Sequence, residues 1–110
     1  MKTLSTLLLF LFVCSFSSAD AQINSEKRAK KISQKMKKAL DLTDEETQDI
    51  YKMQYERFEK SNALQKKYAD QPEVLKEKRK ELGKDIYNKL KSYLGNERLK
   101  QWREWRKQNK

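Results

Sequence analysis

Between Ile50 and Tyr68, large apolar side chains return at steps of one, two, three and four residues and gather on one side of a helical wheel. Ile50, Tyr51, Met53, Tyr55, Phe58, Leu64 and Tyr68 share that side, with Gln54, Ser61, Asn62 and Gln65 among them. The other side holds Asp49, Lys52, Glu56, Glu59, Lys60, Lys66 and Lys67, and only Arg57 strays towards the apolar arc. Advancing 100° per residue, that agreement fits an amphipathic helix and no other regular structure. The stretch "LDLTDEETQDI" opens it. Thr43 is suited to the N-cap and Glu46 stands three residues on, a capping box, while Asp44 and Glu45 set negative charge at the positive end of the helix dipole. The expected helix runs from Asp44 to about Tyr68, about 38 Å at 1.5 Å per residue.

The same logic extends in both directions. Upstream, Ile32, Met36 and Leu40, with Ala29 and Ala39, mark a helix over residues 22–40 whose opposite face, from Lys27 to Lys38, is almost purely cationic. Downstream, "ADQPEV" breaks the pattern. Asp70 is the expected cap, Pro72 suits a first turn and Glu73 would complete a second capping box. Leu75, Leu82, Ile86, Leu90 and Tyr93 then recur on steps of three, four and seven, with Arg79 in one slot of the stripe. Gly95 is a natural helix end, and Asn96 is the expected cap of a short fourth helix edged by Leu99, Trp102 and Trp105 or Arg106. No strand-like alternation occurs. The expectation is an all-α fold of about four helices, joined by connections of two to four residues in an antiparallel hairpin arrangement.

Residues 1–21 stand apart. Met1-Lys2-Thr3 is a short positive start, Leu4 to Phe16 is apolar, and Ala19-Asp20-Ala21 offers small residues at a cleavage point, the layout of a secretory signal peptide cut after Ala21. As a membrane anchor the apolar run falls short of the roughly 20 residues that span a bilayer. Cys14 follows bulky Val13, which does not fit a lipoprotein cleavage point, so it reads as apolar filler. The expected mature domain, residues 22–110, keeps the net charge of +10 and holds neither Cys nor His. It is expected to be periplasmic or secreted, with no membrane span after cleavage, and it must be held by packing alone.

That packing is thin. Residues 22–110 contain fourteen Ile, Leu, Val and Phe, below the one-fifth share at which a strongly charged chain tends to disorder. Since the periodicity argues against disorder, a second copy is expected to supply the missing core, giving an elongated homodimer.

Without His or Cys in the mature chain, zinc and copper sites of the usual kind are excluded. There is no G-x-x-x-x-G-K, no G-x-S-x-G and no Ser/His pair, and Asp44-Glu45-Glu46 is explained by capping. Neither enzyme activity nor a cofactor is expected. Positive charge is the main functional clue. It suits an acidic or unfolded polypeptide or, more weakly, anionic lipid or polysaccharide; nucleic acid is not an expected partner of an exported chain. Tyr51, Tyr55 and Phe58, with Arg57, are the candidate polypeptide-binding residues, rings for adaptable area and a cation for acids. The other reading of these rings is that they pack inside the dimer.

The residues also carry a family resemblance. A helical chain with an export leader and Leu42-Thr43-Asp44-Glu45-Glu46 at a helix start resembles the Spy/CpxP family of small periplasmic proteins, whose hallmark is Leu-Thr-x-x-Gln, usually present twice. Glu46 takes the place of the Gln. Leu94-Gly95-Asn96-Glu97-Arg98 lies 52 residues later, where a second copy belongs, with Gly for Thr and Arg for Gln. The resemblance covers Ile32 to Trp105, and its motif residues here are Leu42, Thr43, Glu46 and Leu94. It implies a dimer shaped as a thin curved cradle, and a role as an ATP-independent chaperone or as an envelope-stress regulator docking one specific protein. The family's metal-resistance branch does not suit a chain without His.

Overall fold

A computed structural model describes residues 24–110. The leader read over residues 1–21 and the cleavage point after Ala21 lie outside the described residues. Four helices make up almost all of the rest: α1 over residues 24–40, α2 Asp44–Lys67, α3 Pro72–Leu94 and α4 Asn96–Gln108. No strand occurs among the described residues, and no helix among them is long and apolar enough to cross a membrane.

The centre is α2. Against it α1 runs antiparallel, with Lys37 paired to Asp44, Met36 touching Gln54, and Asn62 Nδ2 donating to Ser25 Oγ at 2.9 Å. On α2's other flank α3 is antiparallel too: Tyr93 Oη donates to Asp49 Oδ2 at 2.6 Å, Lys89 lies 3.6 Å from Glu56, and Arg79 Nη2 donates to Gln65 Oε1 at 2.7 Å. Arg79, in its slot of the α3 stripe, is exposed and crosses to α2.

The capping box at Thr43 forms as read. Glu46 N–H donates to Thr43 Oγ1 at 3.1 Å, and Thr43 N–H donates to Glu46 Oε1 at 3.0 Å. Thr43→Ala removes one of these bonds from a helix start and is expected to cost about 1 kcal/mol, read as a lower urea midpoint. The second box does not form. Because α3 starts at Pro72, its N-cap is Gln71 and Glu73 falls at the second helical position, too early to reach back, and no side chain caps the helix. Nor does Asn96 cap α4. It is the first residue of that helix, and Gly95 alone joins α3 to α4. With φ +88° and ψ 166°, Gly95 occupies backbone space that a side chain rarely permits, so a single residue reverses the chain where two or more were expected. The α1–α2 turn is closed by Asp41, also left-handed at φ 52°, with Leu42 N–H donating to the Lys37 carbonyl at 3.2 Å.

The core gathers at one end of the molecule, where all four helices meet. Met36, Leu40, Leu42, Ile50, Ile86, Leu90, Leu94, Leu99 and Trp102 form it, with Ile32, Ala39, Met53, Leu82 and Trp105 against its edge. Leu42 and Leu94 both lie inside it. Further along the hairpin, Leu64, Tyr68, Val74 and Leu75 are only half buried. The shape matches this division: the radius of gyration is 17.9 Å, against about 12 Å for a compact body of this length, and the extents are 63 × 31 × 25 Å.

Glu46 near the start of α2 meets Arg98 of α4. Arg98 Nη1 donates to Glu46 Oε2 at 2.8 Å and Nη2 to Oε1 at 3.2 Å, a two-pronged pair. Arg98 and the Thr43 backbone N–H hold the Glu46 carboxyl well below its ordinary 4.5, at about 2. A carboxyl depressed in the folded state stabilises the fold above its unfolded pKa, and this contribution is lost as pH falls towards the folded value. We expect the melting temperature to fall between about pH 5 and pH 2. In Glu46→Gln that part of the acid slope should be missing; an unchanged slope would show that the pair contributes nothing.

Candidate functional site

The α1–α2 seam is built from small and polar groups. Ser25, Ala29 and Ser33, one per turn of α1, are buried, and Gln54 on α2 is 1% exposed. Small residues let the two helices approach. Their neighbours on α1, Arg28, Lys31 and Lys35, are thereby set along the edge of the seam. From the other side comes α4. It is tied down at Arg98 and by the burial of Leu99 and Trp102, and its Arg103, Arg106 and Lys107, with Lys110 beyond its end, line the same cleft as the α1 cations.

This open cleft measures about 800 Å³. Phe58, Trp102, Ile32 and Trp105 provide its apolar lining, with Trp102 and Trp105 stacked at 5.6 Å between ring centres and 14° between planes. Eight cationic side chains line it, the eighth being Arg57 of α2, and no Asp or Glu does so among the described residues. The guanidinium groups rest on rings: Arg28 lies 4.3 Å and Arg57 5.5 Å from the Phe58 centroid, and Arg106 lies 5.8 Å from that of Trp102. Burial, then the nearby Arg106 and Arg28, lowers the pKa of Arg57 from its ordinary value. It remains charged at neutral pH, and the shift reflects its partial burial first and the like charges beside it second. An anion entering the cleft would relieve that repulsion, and the low-dielectric walls would focus the attraction.

The four candidate binding residues divide. Arg57 and Phe58 line the cleft. Tyr51 and Tyr55 do not; both are half buried and stack on each other, with ring centres 6.2 Å apart. The motif residues Leu42, Thr43, Glu46 and Leu94 gather at the helix junction and frame the base from which α4 departs. What sequence reading missed is the wall from α4 and its partnership with Arg28, Lys31 and Lys35. The cationic run from Lys27 to Lys38 and the pattern "QWREWRK" were the available clues, but neither says that the two faces oppose one another. No group of three or more metal-ligating side chains is assembled among the described residues.

Comparisons with known families, with curated proteins and with solved structures found no match for this chain.

Proposed function

We propose that this chain is an exported, ATP-independent binding protein that holds unfolded or acidic polypeptide in the cleft between α1, α2 and α4. One observation carries the reading: eight cationic side chains and no acidic one surround an aromatic floor. The charges attract acidic groups from a distance, and the rings give area to whatever apolar side chain arrives with them. No nucleotide is needed in this scheme. The Spy/CpxP resemblance fits such a role in the periplasm, with a homodimer as the working form. The half-buried Leu64, Tyr68, Val74 and Leu75 of the hairpin supply a surface for the second copy. Light scattering at tens of micromolar should give twice the chain mass; the mass of one chain, with full helicity and cooperative melting, would reject the dimer.

The chaperone reading is tested by aggregation of two unrelated denatured proteins, with and without the mature chain, at low and moderate salt. Protection of both, weakening as salt rises, is the expected result. The presence of a single such cationic, aromatic cleft between α1, α2 and α4 among the described residues favours a second reading, an envelope-stress regulator docking one protein. No protection at several-fold molar excess of folded protein, together with a single partner in pulldowns, would replace the first reading by the second.

A further inference from the structure

Within the cleft, three guanidinium groups converge without an acid. Arg28 and Arg57 lie over the same ring, Phe58, and Arg106 lies over Trp102. All five residues line one cavity. Stacking on a ring holds a guanidinium without using its N–H donors. Arg57 gives one of its five donors to Gln54 Oε1, at 3.4 Å, and is partly withdrawn from water. The cluster therefore concentrates three positive charges and many unspent donors in planar forks.

We propose that Arg28, Arg57 and Arg106 form a subsite for a tetrahedral dianion, the phosphate group of a monoester or the free phosphate or sulfate ion. A single carboxylate brings one charge and two oxygens, which one guanidinium fork already satisfies. A phosphomonoester brings a charge of about −1.5 to −2 at pH 7 and three terminal oxygens, enough to engage one fork at two points and still reach the other two. Lysines would serve as well for charge alone, but guanidinium is the group that pairs with such oxygens two at a time. Lys31, Lys35 and Lys107 then form an outer ring of point charges. This inference rests on the cleft being the binding site, as proposed above, but not on that site's occupant being a polypeptide.

The chain's two tryptophans both line the cleft and report on it directly. Their emission is followed as inorganic phosphate, sulfate or acetate is added, with chloride holding ionic strength constant. Phosphate and sulfate should give saturable changes and acetate none. Arg57→Lys and Arg28→Lys, which keep the charge and lose the fork, should each raise the half-saturating phosphate concentration about tenfold, equivalent to about 1.4 kcal/mol. Lys80→Gln on α3 should leave it unchanged. Phosphatidylcholine vesicles with and without phosphatidic acid separate the sources. Uptake only on phosphatidic acid assigns a lipid-borne phosphate, and saturation by free phosphate without vesicle uptake assigns a soluble one. An oligoglutamate peptide is the second arm. Peptide binding without a phosphate response overturns the subsite and leaves the polypeptide reading, whereas phosphate binding without peptide binding does the reverse. A phosphate response no larger than that of acetate, or folded Arg57→Lys and Arg28→Lys variants that titrate like the parent, would end the proposal.

Discussion

Trp102→Ala is expected to lose about 3–5 kcal/mol of folding stability, the usual cost of truncating a buried large aromatic. Trp102 is 4% exposed and belongs to the only core cluster found among the described residues. Its ring also stacks on Trp105, worth about 0.5–1.5 kcal/mol beyond the buried area. A chain of this size holds about 4–13 kcal/mol in all, so the substitution removes a large share of the total. It acts at the place where α4 is fixed, so α4 should detach first and take one wall of the cleft with it. Urea unfolding followed by far-ultraviolet circular dichroism reads the effect. A midpoint within error of the parent would mean that α4 is not part of the cooperative unit.

Leu42→Ala and Leu94→Ala are each expected to cost about 2–4 kcal/mol. These leucines precede α2 and α4, are 4% and 7% exposed, and meet in one cluster with Leu40, Leu90 and Leu99. Because they share that cluster, the double variant should depart from additivity by about 0.5–3 kcal/mol. Independent, small losses would show that the two leucines do not build a common junction.

The residues explain why some of this was readable in advance. In α2, period and start are both local properties, and Ile50, Phe58, Thr43 and Glu46 fall as their spacing requires. Where a single residue decides, local reading fails. Moving the start of α3 by one position, to Pro72, dissolves the expected box of Asp70 and Glu73. Gly95 accomplishes alone what a connection of two to four residues, with Asn96 as cap, was expected to do. Ser25 and Ser33 were hidden for a different reason, since hydroxyl residues on a helix resemble a wetted face until a partner helix approaches them. The pairing of Glu46 with Arg98 links residues 52 positions apart, and only the fold brings them together. The cleft is the least local feature of all, since its cations come from three helices and its floor from residues as distant as Ile32 and Trp105.

The central claim is that the position of these cations, and not the net charge of the protein, makes the binding site. It is tested by the affinity of a labelled, unfolded acidic peptide for two variants of equal net charge. One carries Arg28→Gln, Arg57→Gln and Arg106→Gln in the cleft, and the other Lys76→Gln, Lys80→Gln and Lys84→Gln on α3. With both variants shown to be folded, the cleft variant should bind at least about tenfold more weakly than the parent, and the α3 variant should stay within about threefold. Equal losses in the two would contradict the account, because binding would then follow total charge alone.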